Sequence, residues 1–229
     1  AQTKNIVDNP DARKLQRTPV PILGGLTIFF GMAMGIACSM LFGDYADIFP
    51  VVVSMILILL IGTMDDIIDL SPTFRFAVEI LIVLILIFSS GASLNDFHGL
   101  WGFYEVPMWF SLMLTIIAAV GMINAINLID GIDGLSSGFC IMASSLFGIM
   151  FYFAGNSSML VLAAVSIGAL IPFFFHNVFG RTSKMFIGDG GTLLMGIILS
   201  TFVIRTLTHG TSCASLNPNL GLIPFTIAV

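Results

Sequence analysis

Long apolar runs, separated by short polar stretches, occupy most of this chain and restrict what it can fold into. A helix needs about 20 apolar residues to cross about 30 Å of hydrocarbon. Because lipid offers no hydrogen bonds to the backbone, such runs are helical when they span a membrane. We therefore predict an all-α, polytopic transmembrane helix bundle, with seven crossings and the start of an eighth near 219. The seven runs are 20–43, 48–64, 74–92, 108–128, 135–154, 158–178 and 191–208.

The low charge content supports the same class of protein. Of the 229 residues, 57% are hydrophobic and only 9% are charged, whereas a soluble domain carries about 25% charged residues. No stretch is basic enough to predict binding to nucleic acid. The cysteines Cys38, Cys140 and Cys213 have neither paired nor metal-ligand spacing. The lipid bilayer is therefore the first partner that the sequence predicts.

A single integral-membrane domain, 1–229, is the simplest organisation. The chain contains no internal repeat, low-complexity tract or linker. It begins without Met and stops within an apolar run at 223–229. We expect a domain that is truncated at both ends. A homodimer is one oligomeric state that the sequence leaves open.

The basic residues predict how the bundle is oriented. If the crossings alternate, one membrane face receives seven of the eight Lys and Arg residues, and the other face receives only Arg205. Cytoplasmic loops carry an excess of Lys and Arg, so we assign the first face to the cytoplasm. Its basic residues are Lys4, Arg13, Lys14, Arg17, Arg75, Arg181 and Lys184.

The same alternation places three acidic clusters on that face. This is an independent observation, because the orientation is assigned from the basic residues alone. Polar groups gathered at one face of a membrane indicate a site, whereas evenly spread groups would only mark helix ends. The opposite side keeps scattered acids in loops. The clustered residues are Asp65, Asp66, Asp69, Asp130, Asp133 and Asp189.

The most distinctive motif recurs with a spacing of three residues at the end of the fourth run: Asn124, Asn127, Asp130 and Asp133. The two Asn residues share one face of a helix, and the glycines beside the two Asp residues predict a tight turn. Carboxylates at a membrane boundary are costly unless a cation or water satisfies them. We interpret the motif as the floor of a polar, metal-binding site.

A second acidic cluster ends the second run. Asp65 and Asp69 are four residues apart and are expected on one helical face, with Asp66 beside them. Like charges at a helix C-terminus oppose the macrodipole and one another. The cluster therefore indicates a compensating cation, for which Mg²⁺ is the natural candidate. The alternative is a solvated helix end that tolerates acidic residues.

The seventh run opens with a glycine-rich stretch around Asp189. Gly188 and Gly190 allow close backbone approach, and a helix N-terminus offers free N–H groups to a phosphate. Asp189 is a candidate metal ligand in this position. The alternative is that Asp189 caps a helix between flexible glycines.

Three further segments carry candidate residues. The basic segment before the first run, with Arg17 and Thr18, can hold an anionic lipid headgroup or a nucleotide phosphate, or serve only as a positive anchor. Asn177 is a candidate contact for a nucleobase or sugar, whereas we interpret His176 as structural. Glu79 is a carboxylate within the third run and is therefore suspected of a function, although Arg75 lies at the right spacing for a local pair.

Together these motifs resemble the polyprenyl-phosphate N-acetylhexosamine-1-phosphate transferase family. The resemblance covers nearly the whole chain, and the long Asn/Asp motif is its most specific part. The sequence looks most like bacterial undecaprenyl-phosphate N-acetylglucosamine 1-phosphate transferases of O-antigen, enterobacterial common antigen or teichoic acid linkage synthesis. The matching segments are 7–10, 17–25, 65–66, 124–135 and 186–191.

The resemblance implies a Mg²⁺-dependent transfer, with Mn²⁺ as the alternative ion, in the bacterial inner membrane. The donor would be a UDP-sugar, the acceptor undecaprenyl phosphate and the by-product UMP. It also implies about ten or eleven crossings, so that the family's first crossing and its later crossings and donor-contacting loop are absent here. We expect the present segment to be incomplete for activity.

Residue roles follow as hypotheses. We assign catalysis to Asp65, Asp66, Asp130 and Asp133, with Asp65 deprotonating or orienting the lipid phosphate. We assign the metal to Asp189 and Asp66. Direct attack by the lipid phosphate and a covalent intermediate on an Asp remain open. The alternative function is a cation-coupled transporter, which requires charges at mid-membrane. The substrate-binding candidates are Asn124, Asn127, Arg17, Thr18, Gly188, Gly190 and Asn177.

Overall fold

The computed structural model describes residues 7–8, 20–21, 24–100, 102–180 and 185–208. The candidate residues Arg17 and Thr18 lie outside the described residues, as does the predicted start of an eighth crossing. The positions of these residues relative to the site therefore stay predictions.

Seven α-helices form the described part of the chain, which confirms the predicted all-α bundle. Two short antiparallel pairs accompany them: β1 (Val7–Asp8) with β2 (Val20–Pro21), and β3 (Asp96–Leu100) with β4 (Phe103–Glu105). A 3₁₀ turn, Ala46–Ile48, leads into the second helix. The helices are α1 (Gly24–Ser39), α2 (Phe49–Ile68), α3 (Pro72–Ser90), α4 (Met108–Leu128), α5 (Leu135–Phe153), α6 (Ser157–Phe179) and α7 (Gly188–Thr206).

Six of these helices, α2 to α7, are long and apolar enough to cross a membrane. The first helix, α1, has only 16 residues, which corresponds to a length of about 24 Å. The prediction of a crossing at 20–43 was therefore too long for the helix itself. The chain leaves α1 through two tight turns, in which Leu41 and Phe42 donate to the carbonyls of Cys38 and Ser39.

Two helix boundaries near the acidic residues also differ from the prediction. Helix α2 continues to Ile68, so Asp65 and Asp66 lie within its last turns. Asp69 ends the helix in a left-handed conformation, with φ of 52°. The predicted shared helical face of Asp65 and Asp69 is therefore wrong. Helix α7 begins at Gly188, three residues before the predicted start.

Helix α7 lies at the centre of the bundle. All of its residues except Asp189 and Arg205 are buried, and it packs against α1, α2, α4 and α5. Small residues permit this packing, because a Cβ on Gly25 would come within 2.3 Å of the Gly191 nitrogen, and one on Gly62 within 2.5 Å of the Gly190 Cα. Close backbone approach at small residues is typical of helix packing in membranes.

Hydrogen bonds show which helix termini meet at each end of the bundle. At one end, the backbone N–H of Gly24, the first residue of α1, donates to the Phe186 carbonyl, just before α7. At the other end, Asn95 donates its N–H to the Leu207 carbonyl, and Ser111 donates to Ser93. Consecutive helices therefore alternate in direction. As a consequence, the last turn of α2, the first turn of α3, the last turn of α4 and the first turn of α7 lie at the same end.

Candidate functional site

A cluster of charged and amide side chains lies at that end of the bundle, and Arg75 is at its centre. Arg75 lies in the first turn of α3, which Ser71 caps by accepting the N–H of Phe74. Its side chain is 21% exposed. The guanidinium reaches four helices, its own included. Its contacts are Asp65 at 2.8 Å, Asn124 at 3.2 Å, Asn127 at 3.4 Å, Glu79 at 3.4 Å and Asp189 at 3.9 Å.

Both carboxylate oxygens of Asp65 are engaged by the protein. Oδ1 accepts the backbone N–H of Leu70 at 2.8 Å, and Oδ2 accepts Nη1 of Arg75. The Asp65 side chain is only 7% exposed. In this arrangement Asp65 holds Arg75 and closes the turn after α2. Its hypothesised role as a base for the lipid phosphate stays a prediction, and would require one of these contacts to open.

Asp66 caps the N-terminus of α7 from the neighbouring helix. Its oxygens accept the backbone N–H groups of Asp189 at 2.9 Å and Gly190 at 3.2 Å. An anionic acceptor at a helix N-terminus satisfies donors that have no partner inside the helix and complements the helix dipole. The prediction that these N–H groups are free for a phosphate is therefore wrong for Asp189 and Gly190.

The α7 glycines serve packing in this structure. Gly188 and Gly190 are both buried. Gly188 has a positive φ of 71°, and a Cβ on Gly190 would come within 2.9 Å of the Thr63 side chain. Because both glycines are buried, they offer no exposed surface for the substrate contact that the sequence predicts. The small size of Gly190 instead lets α7 approach α2.

Asn124 and Asn127 share one face of α4, as the spacing predicts, and each holds a charged residue in place. Asn124 donates to Oε2 of Glu79 at 2.5 Å and to the Val120 carbonyl at 2.9 Å. Asn127 donates to Oδ1 of Asp189 at 2.6 Å and to Thr192 at 2.9 Å. Their carbonyl oxygens face Arg75. The two amides therefore orient the charged groups of the site.

Asp189 presents the most accessible of the carboxylates that pair with Arg75. Its side chain is 37% exposed, against 7% for Asp65 and 0% for Glu79. Oδ1 accepts from Asn127, whereas Oδ2 lies 3.9 Å from Nη1 of Arg75. A carboxylate that is fixed on one oxygen and open on the other is well suited to bind a cation or a phosphate-bound ion.

Asp130 lies in the turn between α4 and α5. Ser136, in the first turn of α5, donates to Oδ1 at 2.5 Å. The pKa of Asp130 is raised to about 7, chiefly by burial and also by the charges of Asp189, Asp66 and Asp133, whereas the Ser136 hydrogen bond opposes the rise. Asp130 therefore lies within electrostatic range of the other acids. Asp133 is exposed in the same turn.

Asn177, near the end of α6, is held by the protein backbone on both of its polar atoms. It is 5% exposed. Its Oδ1 accepts the backbone N–H of Gly134 at 2.7 Å, and its Nδ2 donates to the Met185 carbonyl at 3.0 Å. Gly134 has a φ of 74°, which favours glycine. Asn177 thus fixes the turn between α4 and α5, and its predicted contact with a nucleobase or sugar stays a prediction.

Among the described residues, no three His, Cys, Asp or Glu side chains converge as a ready-made metal site. Mg²⁺ commonly binds one or two carboxylates and completes its shell with water and substrate phosphates. Oδ2 of Asp189, which has only a long ion pair with Arg75, fits this mode of binding, and the two oxygens of Asp66, which accept backbone N–H groups, would bind an ion through their remaining lone pairs. Both offer the hard oxygen donors that Mg²⁺ prefers.

The central role of Arg75 was not predicted from the sequence. Its position indicated only the cytoplasmic face and a local pair with Glu79. The ion pair with Glu79 exists, but the contacts to α2, α4 and α7 were not anticipated. A signal was present, because an Arg four residues before a buried Glu in an apolar helix needs polar partners from neighbouring helices.

An apolar cavity lies between α4 and α5, with α7 behind it, and has a volume of about 470 Å³. Its lining includes Ile126, the neighbour of Asn127. The residues that line the cavity are apolar, and none of the charged or amide residues around Arg75 is among them. Other residues that line it are Ala118, Phe139, Leu146, Leu199 and Val203.

The fold and the site define a polytopic helical membrane protein with a charged centre at one end of its bundle. The model of glycosyl transferase family 4 matches residues 48–207, which include α2 to α7. The chain belongs to this family.

Curated relatives show the same similarity. The chain is 33% identical over 204 residues to the probable undecaprenyl-phosphate N-acetylglucosaminyl 1-phosphate transferase of Bacillus subtilis (strain 168), with 85% of this chain and 53% of the relative covered. It is 28% identical to the undecaprenyl-phosphate alpha-N-acetylglucosaminyl 1-phosphate transferase of Salmonella typhi, with 90% and 58% covered. The protein of that name in Escherichia coli (strain K12) is 26% identical, with 90% and 56% covered. The chain spans about half the length of these relatives.

Proposed function

We propose that the full-length protein transfers a sugar 1-phosphate from a UDP-sugar to undecaprenyl phosphate and releases UMP. N-Acetylglucosamine 1-phosphate is the group we assign, because the relatives at 26% to 33% identity carry that sugar in their names. We further propose that the reaction is the first membrane step of a bacterial cell-surface polysaccharide pathway, such as lipopolysaccharide or cell-wall polymer synthesis.

The observation that carries the proposal is the arrangement around Arg75. One guanidinium lies among carboxylates and amides from α2, α3, α4 and α7, at one end of an apolar bundle. A planar guanidinium binds phosphate oxygens through paired N–H donors. The Asp189 contact, at 3.9 Å, is the longest of its ion pairs, so an incoming phosphate can displace it at the lowest cost.

The reaction joins two anions, so their mutual repulsion is the main barrier that the site must lower. An oxygen of the lipid phosphate attacks the phosphorus that carries the sugar. A new P–O bond forms, the bond to the bridging oxygen breaks, and UMP leaves with that oxygen and its electron pair. Arg75 supplies fixed positive charge to the phosphates, as preorganised donors do in other phosphoryl transfers.

Asp189 and Asp66 are the residues that we propose for Mg²⁺, with Mn²⁺ as the alternative ion. The ion, when bound, would neutralise the donor pyrophosphate and stabilise the departing UMP. Asn127 supports this role because it fixes Oδ1 of Asp189, whereas Oδ2 has only the long ion pair with Arg75. We propose Asp130 and Asp133 for the nucleotide and sugar side of the same site.

The apolar cavity supports the assignment of a lipid acceptor. It lies between α4 and α5 and is lined by apolar residues. We propose that the polyprenyl tail lies along this apolar part of the bundle while its phosphate is bound at the end where Arg75 lies. We propose that this end of the bundle faces the cytoplasm of the bacterial plasma membrane, in agreement with the excess of basic residues predicted for that face.

The test is Mg²⁺-dependent release of UMP from membranes that contain the full-length protein, undecaprenyl phosphate and one of several UDP-sugars. We expect UDP-N-acetylglucosamine to be the preferred donor and chelation of divalent ions to abolish release. Asp189→Asn should lose most of the activity while still inserting in membranes. Release without added lipid phosphate, or unchanged release by Asp189→Asn, would contradict the proposal.

A further inference from the structure

We infer that Glu79 is a positioning residue, which fixes the guanidinium of Arg75 and the amide of Asn124 for phosphate transfer. The inference rests on the proposed function and assigns a task to a buried carboxylate that the mechanism above does not use. Glu79 lies in the second turn of α3, one turn further into the bundle than Arg75.

Burial excludes direct contact between Glu79 and a substrate in this structure. Its side chain has 0% exposure, whereas Arg75 is 21% exposed. Any influence of Glu79 on the reaction must therefore pass through the groups that it contacts. These groups are the Nε of Arg75, at 3.4 Å from Oε1, and the Nδ2 of Asn124, at 2.5 Å from Oε2.

The geometry gives these contacts a directional effect. Glu79 binds the guanidinium through Nε, the nitrogen nearest the α3 backbone. Nη1 and Nη2 then point away from Glu79, toward Asp65 and the two Asn residues. Because a guanidinium is a rigid fork, a fixed Nε also fixes the plane in which Nη1 and Nη2 donate. Without Glu79, the fork can turn about its long side chain.

A carboxylate suits this position better than an amide. The Nδ2 of Asn124 donates to Oε2, and the positively charged Nε of Arg75 faces Oε1, so the residue between them must present an oxygen to each. Glutamate offers two acceptor oxygens, whereas glutamine offers one acceptor and one donor. Within the described residues, Oε1 has no hydrogen bond besides its ion pair with Arg75. Its charge is therefore directed to that guanidinium.

The first test is the kinetic effect of Glu79→Gln in the full-length protein. Loss of supporting contacts around a reactive group typically costs 10- to 100-fold in activity. We expect kcat per folded molecule to fall by about that factor, with the KM for the UDP-sugar changed less than about threefold. A kcat within about twofold of wild type would overturn the inference.

A double-mutant cycle shows whether Glu79 acts through Arg75. Arg75→Lys keeps the charge but removes the planar guanidinium. In that variant, Glu79 has no planar group to orient. We expect Glu79→Gln to reduce kcat less than about threefold there, because effects of residues that act as a unit are not additive. Equal losses in both backgrounds would show that Glu79 acts independently of Arg75.

A matched control separates positioning from simple loss of stability. Thr115 is fully buried in α4 and makes hydrogen bonds to Leu94 and Ser111 at the opposite end of the bundle. Thr115→Val should lower the thermal stability in detergent while kcat per folded molecule stays at the wild-type value. If Thr115→Val reduces kcat as much as Glu79→Gln does, the Glu79 effect is one of stability alone.

A readout without turnover separates this inference from the proposed function. The Nε–H signal of Arg75 can be followed by NMR in ¹⁵N-arginine-labelled protein and assigned by its loss in Arg75→Lys. We expect a solvent-protected signal in wild type and fast exchange in Glu79→Gln. Wild-type protein that releases no UMP would contradict the proposed function, whereas an unchanged Nε–H signal in Glu79→Gln would contradict the inference.

Discussion

The carboxylate of Asp66 accepts the backbone N–H of Asp189 at 2.9 Å, so one acid of the site fixes the position of another. Asp66 belongs to α2 and Asp189 to the first turn of α7. The contact joins a peripheral helix to the central one at the point where the polar cluster lies. It also explains how two acids can be close together, because the N–H groups at the helix N-terminus stabilise the negative charge of Asp66.

We expect Asp66→Ala to destabilise the protein and to reduce transfer. The substitution leaves the N–H groups of Asp189 and Gly190 without their acceptor, and loss of a capping side chain costs about 0.5–2 kcal/mol. The measurement is thermal unfolding in detergent, together with UMP release per folded molecule. The control is Asp44→Asn, at an exposed Asp in the turn before α2, which should alter neither the melting temperature nor the UMP release.

Gly62→Ala should destabilise the contact between α2 and α7. The new Cβ would come within 2.5 Å of the Gly190 Cα, and the atom that it meets belongs to the backbone and cannot rotate away. Overpacking of this kind costs about 1–3 kcal/mol. The control is Gly168→Ala in α6, where a Cβ meets nothing within 4 Å. Equal melting temperatures for the two variants would refute the close-packing argument.

The stability of the protein should depend on pH through Asp130. Burial raises the pKa of this carboxyl to about 7 from 3.8, so the folded state holds the proton more tightly than the unfolded chain. The stabilisation is present at acidic pH and is lost as the pH rises toward about 7. Wild type should therefore lose about 1–3 kcal/mol relative to Asp130→Asn between about pH 5 and about pH 8. Parallel stability curves for the two proteins in detergent would contradict this.

Asn177→Ala should affect folding more than recognition of the donor. The change removes the acceptor for the Gly134 N–H and the donor for the Met185 carbonyl, and each unsatisfied buried group costs about 1–3 kcal/mol. We expect a lower melting temperature and a wild-type KM for the UDP-sugar in the folded fraction. A raised KM with unchanged stability would restore the substrate-binding role that the sequence predicted. Asn177→Asp keeps the acceptor and should be milder.

The sequence by itself determined the class of the protein and the end of the bundle at which the site lies. Long apolar runs allow only helices in lipid, and alternation of the crossings brings Asp65, Asp66, Asp130 and Asp189 to one side whatever the packing. The spacing of Asn124 and Asn127 fixed their common face for the same reason, because a helical repeat is a local property. The acidic motifs also indicated the family correctly.

Only the tertiary structure decided what each polar group contacts. Helix α7 is the most buried helix because its small residues allow α1 and α2 to pack closely against it. The hydrophobic periodicity of α7 alone does not predict this burial. Arg75 is central because three other helices converge on it, and Asn177 has its hydrogen-bond partners in a turn and a loop that are distant from each other in sequence. Side-chain partners between helices depend on the relative position of whole segments, which local spacing does not encode.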